Sequence, residues 1–124
     1  GVFFTNVSDS KPTFKSHLAA SNTATDIVAL INDDPHQVYE IRSNNGSASL
    51  ATDVGNTAEI SYSAGATPNF ISRTTLDDGT LGTSSQQLKI VGVSRDPDNN
   101  DIGSAGVVWR VVISEHFFKQ HAGI

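Results

Sequence analysis

Two strongly strand-forming segments constrain the fold of this chain more than any other feature. Leu88–Val93 and Val107–Ile113 consist mostly of valine, isoleucine and leucine, and the second contains the single tryptophan. β-Branched and aromatic side chains favour the pleated surface of a sheet, whereas the Asp-, Asn- and Gly-rich residues between the two segments favour a loop. The two segments are therefore expected to be strands joined by a polar loop.

The later of these segments is apolar on both sides of the expected strand. One face carries Val107, Trp109, Val111 and Ile113, and the other carries Val108 and Val112. Because a strand that is apolar on both faces is normally covered on both, it is expected to lie centrally in its sheet, or under an arm or a neighbouring subunit. Trp109 is then expected in the core and not on a sugar-binding surface.

Three earlier segments also have the pattern of strands. Ile27–Ile31 is a continuous apolar run, which predicts a buried strand. Val38–Arg42 and Ala58–Tyr62 alternate between apolar and polar residues, the period of a strand with one wet face, and in the second segment this places Ala58, Ile60 and Tyr62 inward. Turn-forming residues separate the runs, with a turn predicted at Asn44-Asn45-Gly46, and no segment has the periodicity of an ordinary helix. The sequence therefore predicts an all-β fold, either an antiparallel β-sandwich or a small barrel.

Residues 1–26 differ from the rest, because they are rich in Ser, Thr and Asn with apolar residues at intervals. The pattern fits an extended N-terminal arm that lies on a surface, and it equally fits the first strand and loop of the same domain. Residues 27–124 then form the β-domain. Isolated apolar side chains in a polar arm gain from burial against a partner, so Phe3, Phe4 and Phe14 are candidate interface residues.

Composition excludes several classes of partner. The formal net charge is −5, and the eight basic residues are scattered, so the clustered positive charge that nucleic acid requires is missing. There is no cysteine, which excludes a disulfide framework. No apolar run approaches the length of about 20 residues that a membrane helix needs.

No segment carries a recognisable catalytic or metal-binding pattern. Asp96–Asp101 offers the oxygen ligands that calcium prefers, but Asp101 stands where a calcium loop needs glycine, and Val107 stands where it needs glutamate. The four histidines lack metalloprotease spacing, and no serine lies in a Gly-x-Ser-x-Gly motif. The sequence therefore predicts no enzyme, no cofactor and no metal.

A set of segments, each weak alone, follows a family pattern in its order along the chain. They are Asp33-Asp34-Pro35, Tyr39-Glu40-Ile41, Asp53–Ile60, Leu76-Asp77-Asp78, Leu88–Val93, Asp96–Asn100 and the apolar run that ends near His116. Together they resemble small virion structural proteins of tailed bacteriophages, of the capsid-decorating or cementing kind. The resemblance covers about two-thirds of the chain. It departs from the family at Tyr39, where phenylalanine is usual, and at Ser114-Glu115, where asparagines are expected.

The resemblance implies a protein that binds the outer surface of the major capsid protein lattice and stabilises the head. It would be found on the virion, and in the host cytoplasm during assembly. Three capsomers meet at lattice junctions, so a homo-oligomer of three copies is expected to fit there. Phe3, Phe4 and Phe14 are then candidates for docking across subunits or onto the shell. The alternative is a β-sandwich module of a phage tail or fibre that recognises a host glycan.

Overall fold

The chain forms two compact all-β units. The computed structural model describes residues 1–44 and 51–119, and within them strands alternate with loops and two short 3-10 turns, without an α-helix. One unit comprises Gly1–Asp33 and the other Asp34–Ile124. All strand pairs in the two sheets are antiparallel, which confirms the predicted fold class. In the part of the chain described, no helix is long and apolar enough to cross a membrane.

The smaller unit is a three-stranded sheet. Its strands are β1 (Val2–Thr5), β2 (Pro12–Lys15) and β3 (Val28–Ala29), in the order β2-β1-β3. A turn joins β1 to β2, and there the Asn6 side chain accepts a hydrogen bond from the Ser8 N–H at 3.1 Å. This is the local bond through which asparagine favours turns.

The prediction that Ile27–Ile31 forms a buried strand is wrong. The segment supplies β3 at the edge of the three-stranded sheet, and its large side chains are exposed, reaching 79% for Ile31. A continuous apolar run indicates surface that is favourably covered, but it does not specify what covers it. A sheet of three short strands provides no second layer of its own over this edge.

The larger unit contains a five-stranded antiparallel sheet. Its strands are β4 (Val38–Arg42), β5 (Thr57–Ser61), β6 (Thr75–Gly82), β7 (Leu88–Val93) and β8 (Val108–Ile113), in the order β4-β8-β7-β5-β6. β8 lies between β4 and β7, which confirms its predicted central place. The outer strands meet at one point, where Ser43 and Leu76 form a parallel bridge. The sheet is therefore curled, so that its two edges approach each other at this point. The predicted turn at Asn44–Gly46 lies mostly outside the described residues.

Inward side chains from all five strands or their flanking residues form the core of this unit. Trp109 is fully buried, as predicted, at the centre of a cluster that contains Ala58, Leu76, Leu88, Ile90, Val107 and Val111. The predicted inward position of Ala58 is confirmed, whereas those of Ile60 and Tyr62 are wrong, since both of these side chains are exposed. The register of β5 shifts between Thr57 and Glu59, and Tyr62 lies beyond the end of the strand. Simple alternation therefore fails there.

Candidate interaction surface

An apolar row crosses one face of the three-stranded sheet. Phe3 of β1 lies opposite Phe14 of β2 and opposite Val28 of β3. Residues that pair directly across antiparallel strands project from the same face, so the three side chains are neighbours. Phe3 is 43% exposed, Phe14 63% and Val28 52%. Leu30, two residues after Val28, extends this row on the same face and is also exposed.

Phe14 lies close to Gly1, the residue that precedes β1. A Cβ atom added at Gly1 would overlap the Phe14 ring. The absence of a side chain at Gly1 therefore leaves room for the tip of the Phe14 ring. The ring is held in place and still presents most of its surface to solvent.

Of the three phenylalanines predicted as interface residues, the structure brings Phe3 and Phe14 together and separates Phe4. Phe4 follows Phe3 in β1, so its side chain points to the opposite face of the sheet, where it is buried. The alternation of side chains along a strand was the signal that could have made this distinction from sequence. Sequence reasoning missed Val28 and Leu30 as surface residues, because their apolar run was assigned to a core.

A carboxylate ties the loop that precedes β3 to the central strand. The backbone N–H of Thr5 donates to both carboxylate oxygens of Asp26, at 3.0 and 3.1 Å. Hydrogen bonding from Thr5, its side chain first and its backbone second, lowers the pKa of Asp26 below the ordinary value. Asp26 is thus a charged hydrogen-bond acceptor that helps to position β3 beside β1.

A second candidate site is an apolar cleft of about 400 Å³ in the larger unit. It lies along β4, where the strand diverges from the residues that lead into β6, Ser72 and Thr74. Its lining is mainly apolar and includes the partly buried Tyr39, Ile41 and Ile113, but Glu40 and Arg42 also line it. This arrangement can accept apolar side chains, but it offers no cluster of groups for acid–base or nucleophilic chemistry.

The acidic loop between β7 and β8 uses its side chains to hold its own backbone. Asp96 accepts from the Asp98 N–H at 3.0 Å, and Asp101 accepts from the Gly103 N–H at 3.0 Å. The described residues contain no group of three or more His, Cys, Asp or Glu side chains placed to hold a metal ion. The geometry of the loop is that of capped turns.

Comparison of the chain with models of known protein families, with curated proteins and with solved structures found no match. The resemblance to phage decoration proteins stays a prediction from the ordered sequence segments. The geometry adds a compact β-unit that presents the apolar row of Phe3, Phe14, Val28 and Leu30.

Proposed function

We propose that this protein decorates the head of a tailed bacteriophage. It binds the outer surface of the major capsid protein lattice and stabilises the shell as a cement protein. The ordered segments between Asp33 and His116 support the phage assignment. The exposed apolar row supports a role in binding another protein surface.

The apolar row is the observation that carries the proposal. Large apolar side chains gain about 25 cal/mol for each Å² of apolar area removed from water. Phe3 and Phe14 lie side by side on a small sheet, so a partner can cover both rings in one contact. We assign this face to the capsid protein and leave Phe4 out of the interface, because its side chain is buried and points to the opposite face of the sheet.

The stabilising mechanism follows from mass action. A protein that binds the assembled shell, and not its dissociated subunits, stabilises the assembled state by RT ln(1 + [L]/Kd) per site, where [L] is its free concentration. Three copies in a closed ring at a junction of three capsomers would bind several capsid subunits at once. Linked attachment then strengthens binding without additional contacts per copy.

A binding experiment with capsids assembled without this protein tests the proposal. Phe14→Ser removes the more exposed ring of the row, and Phe118→Ser is the matched control, since Phe118 is 64% exposed and lies in the other unit. Loss of one buried phenylalanine contact is expected to weaken capsid binding about tenfold or more. Decorated capsids should also resist heating better than bare ones.

Two results would count against this proposal. If the parent protein does not bind bare capsids, the decoration function is wrong. If Phe14→Ser and Phe118→Ser bind as well as the parent, the apolar row is not the docking face.

A glycan-binding module of a tail or fibre is the second candidate function. Exposed aromatic side chains at Tyr62, Phe117 and Phe118 favour it, because sugars stack on exposed rings. Binding of the protein to a panel of host surface glycans tests it, with the Phe118→Ser variant as the specific probe. Loss of binding in that variant, with Phe14→Ser unaffected, would support this candidate over decoration.

A further inference from the structure

β3 presents unused backbone hydrogen-bonding groups along its outer edge. The Leu30 N–H donates to the Gly1 carbonyl at 2.8 Å, and the Gly1 amine donates to the Leu30 carbonyl at 3.2 Å. Bonded and non-bonded pairs alternate along an antiparallel ladder, so the backbone groups of Ile27, Ala29 and Ile31 point away from β1. Among the described residues, none of these outward groups has a hydrogen-bond partner.

The opposite edge of the same sheet is protected. The outward positions of β2 include Pro12, which has no N–H to donate, and Lys11 precedes the strand while Lys15 is its last residue. Proline and lysine are the residues by which sheet edges avoid pairing with other chains. Ile27–Ile31 contains neither, so the two edges of one small sheet differ in their capacity to pair.

The sequence of the β3 edge is complementary to itself. Around Ala29 the order is Ile, Val, Ala, Leu, Ile, which is apolar and nearly symmetric in size. In an antiparallel pair of two such segments centred on Ala29, Ile27 lies opposite Ile31, and Val28 lies opposite Leu30. Asp26 then lies opposite Asn32, so no like charges meet.

We propose that β3 pairs with β3 of a second copy of this chain, antiparallel and about a two-fold axis at Ala29. The three residues with outward backbone groups, Ile27, Ala29 and Ile31, are the ones that this register makes into bonded pairs. Each such pair exchanges both of its N–H···O bonds. The two sheets join into one, ordered β2-β1-β3-β3-β1-β2, and the apolar rows of both copies continue across the axis.

This contact does not depend on the capsid function and differs from the ring of three copies. A two-fold contact uses the same patch on both copies, so it closes with two chains. In solution it gives a dimer. On a shell it links copies that belong to neighbouring rings.

Charged substitutions at Ala29 test the proposed pairing of two β3 strands about a two-fold axis at this residue. A residue on a two-fold axis faces itself, so Ala29→Lys and Ala29→Glu each place like charges opposite one another. Sedimentation over a concentration series should show a dimer for the parent, monomers for each variant alone, and a dimer again for their equimolar mixture. Ser21→Lys and Ser21→Glu are the controls, since Ser21 is exposed and lies outside β3, and both should remain dimeric.

A cysteine at the same position gives an independent measurement in case a charged variant does not fold. The chain has no cysteine, so Ala29→Cys introduces the only thiol. Bonded antiparallel pairs have Cα atoms about 5.5 Å apart, within the range that a disulfide spans. Ala29→Cys should form covalent dimers under mild oxidation much faster than Ser21→Cys.

Three outcomes would overturn this proposal. They are a parent protein that stays monomeric at high concentration, an equimolar mixture of the charged variants that stays monomeric, and an Ala29→Cys variant that crosslinks no faster than Ser21→Cys. Each outcome leaves capsid binding by the apolar row unaffected.

Discussion

Replacement of Trp109 by alanine tests the packing of the larger unit most directly. The indole is fully buried, and its backbone lies opposite Ile41 of β4 and Val93 of β7. Strands on both sides hold it in the middle of the core. Since neither neighbour can move inward without disturbing its hydrogen-bond ladder, truncation should leave a cavity.

The expected loss of stability on Trp109→Ala is about 3–5 kcal/mol, as for other large aromatic truncations in cores. A domain of about 90 residues has a free energy of unfolding of about 5–14 kcal/mol, so this loss is a large fraction of the total. Trp109→Phe should behave differently. The indole N–H is buried and has no hydrogen-bond partner among the described residues. Phenylalanine removes that unsatisfied donor, worth about 1–3 kcal/mol, which offsets part of the lost contact.

The free energy of unfolding of both variants is measured by urea denaturation, monitored by the circular dichroism signal of the β-strands. Phe117→Ala is the matched control, because Phe117 is an aromatic residue of the same unit that is 94% exposed. Its effect should stay within about 0.5 kcal/mol. A loss below about 1 kcal/mol for Trp109→Ala would refute the central position of this side chain. A loss for Trp109→Phe as large as that for Trp109→Ala would contradict the expected offset.

Two further predictions concern polar contacts. Asn99→Ala should destabilise the larger unit by about 1–3 kcal/mol, because the Asn99 amide donates to the Val108 carbonyl at 3.0 Å and accepts from its N–H at 2.9 Å. The free energy of unfolding is measured by urea denaturation, and Asn100→Ala is the control, since Asn100 is exposed and adjacent in sequence. Equal losses of stability in the two variants would contradict the role of Asn99. The lowered pKa of Asp26 means that its ionised form stabilises the smaller unit above the unfolded-state pKa, and this contribution is lost as pH falls through the lower folded value. A carbon-detected NMR titration should give a midpoint for Asp26 below 3.8, and a midpoint at or above that value would disprove the effect.

The sequence was sufficient to predict features that depend on the chemistry of single strands. β8 was placed centrally because both of its faces are apolar, and Trp109 was placed in the core for the same reason. Features that depend on what lies next to a strand were not predictable in this way. The exposure of Ile27–Ile31 at the sheet edge is an example, because an apolar sequence does not show which surface, if any, packs against it. The bridge between Ser43 and Leu76 is another, since it results from the curl of the whole sheet.

The candidate surface was predicted in part for a related reason. Phe3 and Phe14 were recognised from their isolation among polar residues, but only the register of β1 and β2 shows that they pair. Phe4 is also a phenylalanine in the polar N-terminal segment, but it occupies the alternate position in β1, so its side chain points to the opposite face of the sheet. Val28 and Leu30 join the row because β3 pairs with β1, a contact between residues about 25 positions apart that no local pattern encodes.

The face and the edge of the three-stranded sheet can be used at the same time. Side chains project perpendicular to a sheet, whereas its hydrogen bonds lie within the plane. A capsid protein that covers Phe3 and Phe14 therefore approaches from one direction, and a second copy that pairs with β3 approaches from another. This independence predicts a double dissociation between the variants. Phe14→Ser should lose capsid affinity and remain dimeric in solution, whereas Ala29→Lys should become monomeric and still bind capsids through its apolar row. If Phe14→Ser also abolished the dimer, the face and the edge would form a single interface, and the two proposals would reduce to one.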